Sequence, residues 1–249
     1  MRIKPLLATA IALCLFAACK KNDDGSGSNG GFLRLSSYIE ETHIGTNTQK
    51  DTFAVTYDNQ GRLTSLVSPA LKFQYAYNGN TSFTLDLFEN GALSIHEISF
   101  INAGLHVDST FQYNNTHDTT TEKYVYNGAL ATTKTTYDYT HAGGAVVDFR
   151  DTYTYDNNSN VTKDVQDDGN GNIQQTTTYT YTDKAIQISI NPSYMPIGKN
   201  LPATATVTDG SGIPIGKVTY TYVFDNSGRL TQETDTQDNG SYVVKTYNY

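Results

Sequence analysis

The strongest constraint on this chain is a unit that recurs between residues 53 and 249. Each copy has aromatic residues at positions i and i+2, then a turn rich in Asp, Asn and Gly, then a second extended stretch. Phe53-Ala54-Val55-Thr56-Tyr57 runs into Asp58-Asn59-Gln60-Gly61-Arg62-Leu63-Thr64. Tyr153-Thr154-Tyr155 runs into Asp156-Asn157-Asn158-Ser159-Asn160-Val161-Thr162. Tyr220-Thr221-Tyr222-Val223-Phe224 runs into Asp225-Asn226-Ser227-Gly228-Arg229-Leu230-Thr231. Shorter versions stand at Tyr75-Ala76-Tyr77-Asn78-Gly79 and Tyr124-Val125-Tyr126-Asn127-Gly128, while Tyr179-Thr180-Tyr181 and Tyr247-Asn248-Tyr249 keep only the aromatic half. Residues i and i+2 of a strand share a face, so each pair builds an aromatic ridge. Asp or Asn followed by Gly tolerates the positive φ that a tight hairpin requires. Leu63, Val161 and Leu230 then resume the buried face on the returning strand.

These hairpins predict an all-β fold: a single antiparallel meander of about 14–16 strands, curling into a large sheet or barrel-like body over residues 32–249. Spacing between copies is irregular, so the repeat is degenerate rather than a strict solenoid. The abundant Tyr, Thr, Asn, Asp and Gly favour strands and turns, and no stretch beyond the leader has a helical period. Asn191 to Gly216 carries Pro192, Pro196, Pro202 and Pro214. That spacing predicts a long excursion around one short strand near Ala203 to Val207.

The N-terminal end has a different character. Arg2 and Lys4 precede an apolar run from Leu6 to Phe16, followed by Ala17, Ala18 and Cys19, the order of a bacterial signal peptide over residues 1–18. The small residues before Cys19 resemble a lipobox, in which the thiol is acylated and becomes the new N-terminus. Phe16 and Leu15 depart from the usual placement of Leu in that pattern, and ordinary cleavage after Ala18 is the alternative. The chain has 2 cysteines, Cys14 and Cys19. Its body therefore has no disulfide, thiolate metal site or cysteine nucleophile. Residues 19–31 read as the lipidated cysteine and a flexible Gly/Ser-rich tether reaching about 20 Å. Lys20 after the cysteine resembles lipoproteins sent to the outer membrane, and Asp23-Asp24 resembles the acidic stretch that directs some to the cell surface. Periplasmic and surface-exposed placements both stay open.

Tyr57-Asp58-Asn59-Gln60-Gly61-Arg62-Leu63-Thr64 and Phe224-Asp225-Asn226-Ser227-Gly228-Arg229-Leu230-Thr231 resemble the YD repeat of Rhs-type shell proteins. Signal, lipobox, tether and YD-like hairpins together resemble a family of bacterial lipoproteins of unknown function with a porin-like β fold. The resemblance implies an all-β body and an anchor at Cys19, and implies no activity.

Loss of Arg2 and Lys4 with the leader would leave about 15 basic residues of the 17 against 25 acidic ones, a mature charge of about −10. Such a chain repels nucleic acid. His43, His96, His106, His117 and His141 have no metal-ligand spacing among them. Asp167, Asp168, Asn170 and Asn172, around Gly169 and Gly171, form a calcium candidate because hard cations take several oxygens. A hairpin loop with no ion explains the same residues. Asp209-Gly210-Ser211-Gly212 lacks the strand-turn-helix of a nucleophile elbow. No catalytic residue and no cofactor is assigned, and the expectation is a protein that is not an enzyme.

The 19 tyrosines recur with the structural unit, which favours a core role over a ligand-stacking one. A lipid-facing barrel needs an apolar residue at every second position across a tall band. Thr132-Thr133-Lys134-Thr135-Thr136 and Thr176 to Thr182 do not supply it. The expected partners are the membrane, through the lipid anchor, and either another envelope protein or a glycan bound by exposed tyrosines. An envelope hydrolase built from dispersed acids is the third reading.

Overall fold

A computed structural model of the chain describes residues 33–114, 119–139, 144–188 and 198–249. The leader, Cys19 and the tether lie outside the described residues. The strands are β1 Ser37–Ile44, β2 Asn47–Tyr57, β3 Leu63–Val67, β4 Leu71–Asn78, β5 Ser82–Glu89, β6 Ala92–Ile101, β7 Val107–Asn114 and β8 Thr119–Asn127. They continue as β9 Leu130–Asp138, β10 Val146–Tyr155, β11 Val161–Asp167, β12 Ile173–Ala185, β13 Asn200–Asp209, β14 Pro214–Phe224, β15 Leu230–Gln237 and β16 Tyr242–Asn248. Every strand pairs with its neighbours in sequence, and β1 pairs antiparallel with β16, so the sixteen strands form a closed barrel with no edge. The seam runs in register from Ser37↔Asn248 to His43↔Tyr242. Tyr38 holds it from within, its ring 5.6 Å from Phe53 on β2 and 5.8 Å from Tyr247 on β16.

Turns after the odd strands lie at one end, the mouth, and turns after the even strands lie at the other, the floor. Most floor turns share one construction. In Asp58 to Arg62 the Asp58 Oδ1 accepts the amides of Gln60 and Arg62, each at 2.9 Å, and Oδ2 accepts Arg62 Nε at 2.7 Å. Asn102, Asp156 and Asp225 cap their turns in the same way. The fourth residue takes positive φ, at Gly61 (83°), Leu105 (61°), Ser159 (65°) and Gly228 (77°). The turn therefore prefers glycine there, although Leu105 and Ser159 bear the strain. A register shift follows each of these turns, which is the extra residue of a bulge.

Tyrosine latches close the floor. An inward Tyr in the last part of an even strand, or just beyond it, donates its hydroxyl to a carbonyl near the start of the preceding odd strand. The pairs are Tyr77 to Leu63, Tyr126 to Val107, Tyr155 to Ala131, Tyr181 to Val161, Tyr222 to Pro202 and Tyr249 to Leu230, at 2.6 to 2.8 Å. Tyr57 accepts instead, from the Leu35 amide at 3.1 Å. On β6 the same slot holds Ile101, opposite Val107. At three of these latches the turn residue before the odd strand covers the ring: Arg62 sits 4.2 Å from the Tyr77 centroid, Arg229 4.8 Å from Tyr249, and the His106 ring 5.1 Å from Tyr126. Every prominent residue of the YD-like motif thus has a mechanical role.

Across this end lies an apolar layer. Leu35, Leu63, Val107, Ile188, Leu201 and Leu230 belong to one buried cluster. Two crossing segments supply part of it: Leu33 bridges Ile188 in parallel, and the Gln187 side chain ties to Gly228 O and the Leu230 amide. The described chain enters at this floor.

The Pro-rich excursion differs from its expectation. Instead of one short strand, β13 and β14 are long hairpin partners. Pro202 lies within β13, where its carbonyl receives Tyr222, and Pro214 opens β14. A proline at a strand's first residue or at a register shift removes no needed donor, which is why neither ends the sheet. Pro192 and Pro196 lie outside the described residues.

Candidate functional site: a carboxylate-lined lumen

A sixteen-stranded barrel is too wide for side chains to fill. Among inward residues at mid-height, Glu122 retains 30% side-chain exposure and Lys134 20% inside the closed barrel, while Asp151, Asp235 and Lys245 are 3–6% exposed. Above the apolar floor the interior is therefore a lumen.

Its wall is polar and acidic. On one side Lys134 (β9) reaches Asp151 (β10) at 3.0 Å and Glu122 (β8) at 3.5 Å. Gln166 Nε2 donates to Asp151 Oδ1 at 3.0 Å, and Tyr124 OH to Glu122 Oε2 at 2.7 Å. Glu97 on β6 and Asp164 on β11 flank this group, with the Ser99 hydroxyl 3.2 Å from Glu97. Burial, and then the Glu122 charge, pushes the Glu97 carboxyl up to about 7. Burial, and then Asp151, pushes Asp164 up to about 7 against the pull of Lys134. Lys134 is itself held above its ordinary value, because Glu122 and Asp151 outweigh the cost of burial. On the opposite wall Lys245 lies 2.7 Å from Glu233 and 2.6 Å from Asp235, while Tyr38 hydrogen-bonds Glu40. Burial raises Glu233 despite Lys245. Carboxylates outnumber ammonium groups on both walls, so the lumen attracts cations.

The sequence had pointed to other residues. Asp167, Asp168, Asn170 and Asn172 lie at the mouth, in the β11–β12 turn. Asp168 Oδ1 accepts the amides of Asn170 and Asn172, and its Oδ2 accepts Asn172 Nδ2 at 2.7 Å. Asp167 receives Arg150 and the Gly169 amide. These oxygens are engaged within the turn, which caps itself as Asp58 does. Among the described residues no three of His, Cys, Asp and Glu converge to hold a metal ion. His106 caps a tyrosine, and Val107 beside it is fully buried. The belt residues Glu97, Glu122, Lys134, Asp151 and Asp164 were missed. Their signal was parity: Glu122 and Asp151 stand two residues before the ridges Tyr124-Val125-Tyr126 and Tyr153-Thr154-Tyr155, and so share their inward face.

No protein-family description and no curated protein matches the chain. Among solved structures it is similar to a porin-like protein from Bacteroides uniformis, with a TM-score of 0.59 and 14% identity over 87% of this chain and 98% of that one. It is also similar to a porin-like protein from Bacteroides vulgatus, with a TM-score of 0.62 and 12% identity over 86% of this chain and 98% of that one. The class that fold and lumen define is a porin-like, all-β antiparallel barrel.

Proposed function

We propose that this chain is a tethered, non-catalytic interaction module of the cell envelope, anchored through an acylated Cys19 and not working as a transmembrane pore. One observation carries the reading: the outer wall has two unlike sectors. On β12 to β15 a threonine ladder runs along its middle, with Thr178 opposite Thr206, Thr180 opposite Thr204, Thr204 opposite Thr219 and Thr221 opposite Thr234, while exposed Ile173, Ile215 and Val223 stand toward the strand ends. The Thr180 and Thr204 hydroxyls are 2.7 Å apart. On β6 to β8 it presents Phe100, Phe111, Tyr113 and Val125, between 38% and 58% exposed. A barrel spanning a bilayer needs an apolar band all the way round. A single apolar sector beside a polar one suits contact with another protein. The described chain enters at the floor, so an anchor at Cys19 would attach the body from its floor side.

Tyrosine geometry also bears on the glycan-binding alternative. The tyrosines of the repeat point inward, the second of most pairs latching the floor and the first lining the wall above it, so they form no outward stacking platform.

The test is fractionation of cells expressing the native chain and Cys19→Ser. Native protein should partition with outer-membrane vesicles and into detergent, and the variant should be released as soluble, folded protein. A variant that stays in the membrane through alkaline carbonate extraction would overturn the reading in favour of a spanning barrel. For the interaction sector, Phe111→Ser should abolish a crosslink to a specific envelope protein that Thr206→Ser preserves.

A further inference from the structure

We infer that the lumen is a binding site for a linear polyamine, seated along the β6–β11 wall with its ammonium groups among Glu97, Glu122, Asp151 and Asp164. Charge alone does not carry this assignment. Two polar atoms in the same cluster are buried and lack a hydrogen-bond partner: Thr136 Oγ1 and Asp164 Oδ1. Thr136 is 5% exposed and faces inward on β9, two residues mouthward of Lys134 and opposite Glu122. Asp164 faces inward on β11, on the floor side of Gln166 and opposite Tyr153. An orphaned buried polar atom costs free energy unless something supplies its partner. A hydroxyl and a carboxylate oxygen both accept from an ammonium, which offers three donors and no acceptor.

The shape of the acid cluster selects the kind of cation. Because no three acids converge on one point among the described residues, the site does not chelate a compact metal ion. Its charge is instead spread over β6 to β11, five strand spacings of about 4.8 Å, so a linear polyamine engages neighbouring acids two or three at a time through ammonium groups separated by methylenes. The wall between the acids is aromatic, with inward Tyr124, Tyr153 and Phe149, and such rings favour both methylenes and ammonium groups. Lys134 is an internal example: its ammonium sits 5.5 Å from the Phe149 centroid while bridging Asp151 and Glu122. Raised carboxyls at Glu97, which faces Glu122, and Asp164, which faces Asp151 and Lys134, add a signature. A bound polyamine pulls both back toward ordinary values, so binding near pH 7 releases protons.

The experiment is calorimetric titration of the detergent-solubilised full-length chain with spermidine in 150 mM NaCl at pH 7, repeated in buffers of different ionisation enthalpy. Saturable binding with net proton release is expected. Asp164→Asn should weaken it at least tenfold and Thr136→Val about threefold, with Glu233→Gln on the opposite wall leaving it within twofold. Should Asp164→Asn fail to fold by circular dichroism, Glu97→Gln serves the same purpose. Absence of a saturable heat, equal weakening by Glu233→Gln, or complete displacement of spermidine by equimolar calcium would each overturn the assignment. Tighter binding of an arginine-rich hexapeptide that spermidine cannot displace would overturn it in favour of a peptide ligand. None of these results depends on Cys19, so the envelope reading and this one fail separately.

Discussion

The floor and the lumen belt are both lined by the repeat, yet they treat polar groups in opposite ways. At the floor the capping aspartates and the latch tyrosines have partners, some within the turn and some on a neighbouring strand. Asp225 is held below its ordinary range by the Arg229 amide and then by the Arg229 guanidinium, and Tyr249 donates to Leu230 O at 2.6 Å. In the belt the partners are incomplete, and Glu97 and Asp164 are driven upward by burial and like charge. The difference teaches where this barrel stores stability and where it keeps chemistry available. A closed turn can satisfy itself with its own amides, whereas a lumen wall depends on side chains from separate strands or on a guest.

The comparison can be broken most forcefully at its apolar base. Phe83 is 2% exposed. Phe83→Ala should cost about 3–5 kcal/mol by leaving a cavity in the floor layer. For a body of this size that lowers the melting temperature by roughly 10 °C in calorimetry. A loss below 1 kcal/mol would show that the floor is not the stability centre.

Next comes the belt's ammonium. Lys134→Met leaves Asp151, with a side chain only 4% exposed, without its cation and should cost about 2–4 kcal/mol in urea unfolding. Arg229, 46% exposed beside Asp225, is the matched floor pair, and Arg229→Met should shift the urea midpoint far less than Lys134→Met. Equal losses would erase the distinction between the two regions.

A pH series sharpens the same contrast. Folded Glu97 and Asp164 keep their protons to about pH 7, whereas the ordinary values for the unfolded chain are 4.5 and 3.8. Between those limits the folded state binds more protons, so this contribution to stability falls as pH rises through the window. The melting temperature should be a few degrees higher at pH 5.5 than at pH 8, and Glu97→Gln with Asp164→Asn should remove most of that slope. The capping aspartates have the opposite sign, since lowered carboxyls lose their contribution only in more acidic solution.

Smaller effects belong to the latches. Tyr249→Phe deletes one hydroxyl and should cost about 1 kcal/mol by removing its hydrogen bond to Leu230 O. Ser159→Gly, at a φ of 65° that glycine adopts freely, should stabilise by up to about 1 kcal/mol, and a measured loss would mean that the Ser159 side chain contributes something the turn geometry does not show.

Much of this was legible along the chain. Period-2 aromatics with Asp/Asn–Gly turns specify hairpins from within about twenty residues, because strand facing and turn φ are local properties. Leu63 and Leu230 were placed on the buried face for that reason, and are 3% and 2% exposed. The excursion around Pro202 was misjudged because a proline's harm depends on whether its missing N–H faces a partner, and the neighbouring strand settles that. The calcium candidate stood out because Asp and Asn are common to ion loops and to self-capped turns, and only the folded loop shows how far the Asp168 oxygens are already engaged.

By itself, then, the sequence determined the hairpins, the inward parity of the tyrosines and the all-β class, all consequences of backbone sterics and side-chain alternation over short spans. Tertiary structure decided the closure of β1 on β16, the count of sixteen strands, the latch partners and the gathering of Glu97, Glu122, Lys134, Asp151 and Asp164 on one wall. Those belong to contacts between residues far apart in the chain. Their energies arise only once a low-dielectric wall has been assembled around them.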